Sequence, residues 1–392
     1  MFKKKINKKN TRILIIPPDH SFGSFGDQAM ILSALNVIKS NFTSIDIALF
    51  AMNKFYGNNL LKDLGYNIPI YSPDEILEQK NFFEYLCNYF DTVFIIGADI
   101  LDGGCGIGIS KNYFDIIQIA YKKNLKIVIN GFSFNDRNYP EIIKLIKKIS
   151  KLAILNVRDE VSYQRLEKIR CKNLKRTADI AFLFDERLYK KSDYCQKLIA
   201  KIKSVKQENK IVIGIHVTCK EGFDKYLFIQ KIITAFKNIN NLFVVILPHD
   251  KRIYNHILPD VEFCNFIETM FKANGIPSIN AYNLENEIDV KSIVGYLDFV
   301  ITSRMHLAIA TLSKNVPVIS FIYQGKFEGL YKFYQFNENL MLDSNSFLSE
   351  ELLEKMEYLI KDKTINAMLD DCNKNIFELA KQNIRGLING KK

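Results

Sequence analysis

The sequence predicts an α/β protein of two consecutive domains, each a parallel sheet flanked by helices. Three observations carry this. Short apolar runs suited to buried strands alternate with segments of helical spacing along most of the chain. The alternation lapses into a lysine-rich, polar stretch near 185–210 and then restarts. The length, 392 residues with 48% apolar side chains, exceeds what one core usually organises and is ample for two.

The expected domains follow in order. Residues 1–10 form a basic disordered tail. It starts like a signal n-region, but the apolar stretch behind it, Ile13 to Ile16, ends at Pro17-Pro18 and is too short for a signal core. Residues 11–190 form the first sheet domain. Its strands are read at Arg12–Ile16, Ile45–Phe50, Ile68–Tyr71, Asp91–Ile96, Leu125–Asn130 and Ala153–Val157, with a further short one at Arg176–Phe184. A helix is expected at Ala29–Ile38. Residues 191–209 are expected to connect the halves. Residues 210–345 form the second domain, with strands at Lys210–His216, Leu242–Leu247, around Ile279, at Leu297–Ile301 and at Val316–Ile322. Residues 346–392 are helical and expected to pack back on the first domain.

Composition narrows the function classes. Lysine and arginine exceed aspartate and glutamate by 54 to 43, a net charge of +11, which suits an anionic ligand or an anionic surface. The lysines are spread along the whole chain, as a lysine-rich proteome would also produce. Seven cysteines are scattered without a Cys-x-x-Cys pair, so neither a zinc site nor a disulfide framework is indicated, and reduced thiols are expected. No run approaches the roughly 20 apolar residues of a membrane helix. A cytoplasmic protein is expected, with peripheral contact of the basic start with the inner membrane face as a further expectation. The stacked aromatics and basic interleaving of nucleic-acid binders are missing, so no nucleic acid is expected. The sequence sets no oligomeric state.

The most informative stretch is Phe299–Lys326. It reads as strand, sharp turn, helix, loop, strand. Thr302 and Ser303 suit an N-cap, which would put Arg304 and His306 in the first helical turn at a strand's carboxyl end. Open α/β sheets bind ligands there, and helix starts favour anions. An arginine adds a bidentate clamp, and a histidine can carry a proton near neutral pH. A surface ion pair and a packed core histidine would give the same pattern. Other strand ends add candidates. Gly23, Gly26 and Asp27 follow the first strand, with Asp27 either a helix cap or a carboxylate at a ligand site. Asp99 and Asp102 lie in the glycine-rich loop Gly97–Gly108, as hydroxyl binders or as turn residues. Arg158, Asp179, His216 and His249 each end a strand. The glycine spacing is neither Gly-x-Gly-x-x-Gly nor a P-loop, and no His/Asp/Glu group has metal-ligand spacing, so no metal or cofactor is expected.

Taken together, Gly26-Asp27-Gln28-Ala29, Val157-Arg158-Asp159 with Ser162 and Leu166, Ala178-Asp179-Ile180-Ala181-Phe182, and Ser303-Arg304-Met305-His306-Leu307-Ala308 followed by Pro317, Lys326 and Gly329 resemble the polysaccharide pyruvyl transferase family. The resemblance spans roughly residues 12–335. It implies the GT-B-like fold of two facing Rossmann-like domains, the first on the acceptor side and the second on the donor side. It implies transfer of the enolpyruvyl group of phosphoenolpyruvate onto two sugar hydroxyls as a ketal, in a cell-surface polysaccharide or a lipid-linked oligosaccharide precursor. On that reading His306 and Asp27 are catalytic, and Arg304, Lys326, Ser303 and Arg158 hold the donor. Gly26, Asp99, Asp102 and Asp179 serve the acceptor, with His216 and His249 as further candidates. The chain departs from the family at Gly97-Ala98-Asp99, where members usually carry a run of glycines. The alternative reading is a GT-B-like glycosyltransferase with a nucleotide-sugar donor, for which Glu328 is the available carboxylate. A third is a non-catalytic glycan-binding protein.

Overall fold

A computed structural model of the chain describes residues 11–19, 21–51, 57–73, 79–136, 139–217, 224–253, 259–322, 327–334, 340–362 and 364–388. The strands among them are β1 (Thr11–Ile16), β2 (Ile45–Phe50), β3 (Ile70–Tyr71), β4 (Thr92–Ile96), β5 (Lys126–Phe132), β6 (Ile154–Val157), β7 (Leu174–Arg176), β8 (Ile211–His216), β9 (Leu242–Ile246), β10 (Ser278–Asn280), β11 (Phe299–Thr302), β12 (Val318–Ile322) and β13 (Met341–Asp343). They form two sheets. One has the order β3-β2-β1-β4-β5-β6-β7, the other β10-β9-β8-β11-β12-β13. Every described strand pair is parallel. This is why the central strands read as unbroken apolar runs: β4 is buried at all five positions and β11 at all four, because helices cover both sheet faces.

The chain divides into two compact units. The first comprises residues 1–22, 30–183 and 378–392; the second comprises 23–29 and 184–377. The short segment 23–29 therefore groups with the later half of the chain although it follows β1. The stretch 191–209, expected as a connector, is instead the helix Asp193–Gln207 of the second unit. Its lysines hid an amphipathic face: Cys195, Leu198, Ile199, Ile202 and Val205 recur at helical spacing and are buried. Ser192 caps it through the Cys195 amide and is itself anchored, its hydroxyl donating to Asp289 at 2.6 Å. Of the helical tail, Ser349–Lys361 and most of Ile365–Lys381 belong to the second unit, and the chain from Glu378 onward belongs to the first. There Asn383 donates to the carbonyl of Ala178 at 2.7 Å. Residues 176–184, expected as a strand, leave β7 at once for a 3-10 turn, Ile180–Leu183, whose entry Asp179 fixes by accepting from the Ala181 amide at 2.9 Å. Among the described residues no helix is long and apolar enough to cross a membrane.

In each sheet the strand order reverses once, between β1 and β4 and between β8 and β11. Such reversals open a crevice beyond the strands' carboxyl ends, where α/β proteins bind ligands. The candidate residues all lie at or after the carboxyl ends of strands, those of the second unit around its reversal and Arg158 and Asp179 of the first after β6 and β7.

Candidate active site

At the reversal in the second sheet, β8 ends on His216 and β11 on Thr302, and these two residues are register partners. The Ser303 amide donates to the His216 carbonyl at 3.1 Å, extending the pairing by one step and burying Ser303. The helix that follows is Met305–Leu312. Arg304 is its N-cap residue, at φ −100° and ψ 120°, rather than a member of its first turn. The reason is local: Thr302 Oγ1 accepts from the Arg304 amide at 3.0 Å, which turns the chain one residue later than expected. His306 is in the first turn.

The Arg304 guanidinium is held by residues distant in sequence. Nη2 donates to Asp260 Oδ1 at 2.6 Å, Nε to His216 Nε2 at 3.3 Å, and Nη1 lies 3.6 Å from Asp250 Oδ2. Asp250 is gripped more closely by Arg252, whose Nε donates to both its oxygens at 2.9 Å. His216 Nδ1 faces the Leu247 carbonyl at 2.7 Å. A carbonyl only accepts, so Nδ1 carries the proton and Nε2 is the acceptor that Arg304 requires. Burial holds the imidazole in this neutral form, pulling its pKa down to about 4. Burial works against the charge on Asp260, but the Arg304 guanidinium and the His249 amide favour it, and the carboxyl is held below the usual range. The Arg304 side chain is still 27% exposed, so a pre-oriented cation meets solvent at the helix start.

The segment 23–29 lies against this cluster. Ser24 bridges Asp250, the Phe25 amide donates to the His249 carbonyl at 3.2 Å, and the Lys251 amide donates to the Gly23 carbonyl at 2.9 Å. Gly26 has to be glycine. A Cβ there would come within 2.3 Å of His306 Cγ, so the missing side chain is what admits the imidazole. Asp27 is buried in the first turn of the helix Phe25–Asn41, which starts four residues earlier than Ala29. Gln28 Oε1 accepts from the Glu287 amide at 3.0 Å. Glu287 opens the helix Glu287–Val294, and its Oε2 lies 3.3 Å from His249 Nε2, both side chains almost fully buried. Burial raises the Glu287 carboxyl to about 8 and lowers the His249 imidazole to about 3. The Phe25 ring meets His249 edge-on at 5.8 Å.

Gly26, Asp27, His216, His249, Ser303, Arg304 and His306 thus all belong to the second unit. Lys326 lies outside the described residues. The candidates of the first unit are differently disposed. Arg158, expected to hold the donor, is 2% exposed; Nη1 donates to Asp179 Oδ2 at 2.9 Å and Nη2 to Ser133 Oγ at 2.7 Å. Burial disfavours its charge, but Asp179, Asp99 and Asp159 more than compensate. Its fork is spent inside the fold, tying the ends of β5 and β6 to the turn after β7, and Asp179 with it. Asp102, expected on the acceptor side, accepts from the amides of Gly104 at 2.7 Å and Asn135 at 3.2 Å and so shapes its own loop. Asp99 is half-buried within the field of Arg158. Sequence reasoning missed Asp250, Asp260 and Glu287. The available signal was positional: Asp260 and Glu287 each stand in the first turn of a helix of the second unit, and Asp250 adjoins His249. Among the described residues no group of three His, Cys, Asp or Glu side chains is arranged to hold a metal ion.

Residues 25–325 match the model of the polysaccharide pyruvyl transferase family. A search of curated proteins returns no match. Solved structures of similar fold include UDP-GlcNAc 2-epimerase from Neisseria meningitidis bound to UDP-GlcNAc, with a TM-score of 0.66 at 12% identity over 97% of this chain and 100% of that one. The corresponding epimerase from Methanocaldococcus jannaschii gives 0.65 at 15% identity over the same shares. HepE from Anabaena, in complex with UDP and glucose, gives 0.63 at 12%, again covering 97% and 100%. At these identities the likeness concerns the fold, which is GT-B-like: two units, each with a helix-flanked parallel sheet.

Proposed function

The chain belongs to the polysaccharide pyruvyl transferase family and is a transferase, and from that premise we propose that it moves the enolpyruvyl group of phosphoenolpyruvate onto two hydroxyls of a sugar. The acceptor on this reading is a sugar of a cell-surface polysaccharide or of its lipid-linked precursor, met on the cytoplasmic side of the membrane. One observation supports it above the others: a fixed, partly exposed arginine and an imidazole two residues on begin the same helix at the second sheet's reversal point. A donor bearing both a carboxylate and a phosphate needs such a place. Arg304, the amides of the helix start and Lys326 neutralise it, while Ser303 shapes the floor. Asp260 and His216 supply pre-organisation by fixing the guanidinium before the ligand arrives.

The chemistry then needs a proton moved, and no electrons exchanged. His306 as imidazolium gives its proton to the methylene carbon; the C=C electrons form the new C–H bond and C2 becomes an oxocarbenium-like centre. A sugar hydroxyl adds to C2 and releases its proton to a base, with Asp27 or the now neutral His306 in that role. The second hydroxyl adds as the C–O bond to phosphate breaks, and its proton leaves with the phosphate. The products are a pyruvate ketal and inorganic phosphate. Arg158 is assigned a structural role in the first unit.

The test is incubation of the purified protein with phosphoenolpyruvate and candidate polyols, following phosphate release and product mass. Equimolar phosphate and an acceptor heavier by one carboxyethylidene group support the reading. An acceptor heavier by a hexose, formed from a UDP-sugar, would instead establish the nucleotide-sugar alternative.

A further inference from the structure

We propose that the first unit carries a docking site for an anionic phospholipid bilayer. An apolar, aromatic-walled cavity takes the end of one acyl chain, and the lysines leading into β1 hold the headgroups. The inference concerns the first unit alone and does not rest on the transfer chemistry. The cavity has a volume of about 250 Å³, and Ile47, Ala48, Tyr71, Phe82, Leu86 and Phe90 form its walls. That is many times a water molecule's share of about 30 Å³. Apolar concavities open to solvent mark places where something else binds.

The cavity follows from the edge of the first sheet. β3 is two residues long and pairs with β2 only at Leu49 and Phe50. Asp46–Ala48 therefore have no strand outside them among the described residues. The helix Gln79–Leu86 covers part of the space. Its Phe83 is fully buried and packs on Phe50 at 5.0 Å. The next ring, Phe82, is only half-buried and meets Tyr71 edge-on at 6.4 Å, as Phe90 does. Position separates the cavity from the ligand crevice. Arg12 and Asp46 are the second residues of β1 and β2, and Pro69 and Phe90 precede β3 and β4. The cavity thus lies toward the amino ends of these strands, whereas the Gly97–Gly108 loop follows the carboxyl end of β4.

Three features select the occupant. First, polar groups of the lining are engaged with one another. The Tyr85 and Tyr89 hydroxyls bond at 2.8 Å, and Asp91 accepts from the Arg12 amide at 2.9 Å and from its Nη2 at 3.1 Å. Asp46, exposed on β2, opposes an anion within the cavity itself. A polar metabolite needs convergent polar groups in its pocket, and a hydrocarbon chain needs none. Second, Tyr85 is 48% exposed at the rim. A ring with an apolar body and a polar tip suits the headgroup level of a bilayer. Third, the ten residues leading into β1 contain Lys3, Lys4, Lys5, Lys8 and Lys9 and no acid. They join the fold at Thr11, beside Arg12 of the cavity lining. An anionic leaflet attracts such a run. One inserted chain alone gives marginal, reversible binding; a chain together with a basic run gives stable anchoring.

The chain has no tryptophan, so Tyr85→Trp places a single indole at the rim as a reporter. The full-length variant is titrated with phosphatidylcholine vesicles, with and without phosphatidylglycerol, and with the same lipids brominated in their acyl chains. Binding should be about tenfold or more tighter to the anionic vesicles and weaken with salt. Acyl-brominated lipid should quench the indole. In vesicle flotation, Tyr85→Asp, and separately Lys3→Glu, Lys4→Glu and Lys5→Glu combined, should each bind about tenfold more weakly than the unaltered protein. No binding of the unaltered protein to anionic vesicles overturns the proposal. Binding that leaves the indole unquenched reduces the contact to adsorption of the basic run and overturns the cavity's role, whether or not Tyr85→Asp folds. Self-association that Tyr85→Asp abolishes, without vesicle binding, assigns the surface to a second copy of the chain and overturns the proposal.

Discussion

The carboxyl ends of the two sheets carry similar residues and use them differently. At the first, Arg158, Asp179 and Asp102 are spent on one another and on nearby amides and hydroxyls, and the guanidinium is 2% exposed. At the second, Arg304 is equally well oriented, by Asp260 and His216, yet 27% exposed. Behind it lies a layer of buried titratable groups whose bonds with one another are incomplete. An arginine at a strand's carboxyl end is thus not by itself a ligand clamp. What separates the two is whether the carboxylates that hold the guanidinium also enclose it.

That comparison can be broken by substitution. The largest effect is expected from His306→Ala, which removes the proton carrier and should lower kcat by about 10²–10⁴-fold; steady-state phosphate release measures it, and survival of more than a tenth of the activity would remove His306 from the mechanism. Next comes Arg158→Met. It leaves Asp179 buried without its partner and should cost about 3–5 kcal/mol of stability, read as a shift in the urea midpoint. A stable variant with a raised KM for phosphoenolpyruvate would show instead that Arg158 meets the donor. Gly26→Ala tests the cradle. With a Cβ 2.3 Å from His306 Cγ the imidazole must move, and a displacement of about 1 Å should cost about a hundredfold in kcat. Unchanged kcat would mean that the ring's position is immaterial.

A further effect, on stability rather than turnover, appears against pH. Glu287 has a folded pKa raised from 4.5 to about 8. The fold binds that proton more tightly than the unfolded chain, so its contribution is full below about pH 4.5 and lost as pH rises toward 8. Glutamine at this position does not titrate. The stability of Glu287→Gln relative to the unaltered protein should therefore rise by about 1.4 kcal/mol per pH unit across that window. Parallel stability curves would show that Glu287 ionises normally.

Much of this was readable in one dimension. Parallel β4, β8 and β11 announce themselves as apolar runs because both their faces are covered, and the helix after Arg304 follows from its spacing. The family-like segments around Gly26 and Arg304 could be quoted directly from the chain. Two kinds of feature were hidden. Lysines on the outer face of Asp193–Gln207 masked an apolar inner face and made a helix look like a connector. The partners of Arg304, by contrast, are separated from it by up to 88 residues. Asp260 and Glu287 look like ordinary acidic first-turn residues, favoured by the helix dipole, until the fold brings them beside a guanidinium and an imidazole. Burial is likewise what distinguishes Arg158 from Arg304, and it is a property of three dimensions.

Phosphoenolpyruvate binding, measured calorimetrically without any acceptor in the unaltered protein and in Arg304→Lys, is the most direct test of the donor site. Lysine keeps the charge but loses the fork that Asp260 and His216 orient. Binding should be saturable and weaken by about 10–100-fold in the variant, the worth of one or two charge-assisted hydrogen bonds. Equal affinity in both proteins, or no binding to either, would contradict a donor site built on Arg304.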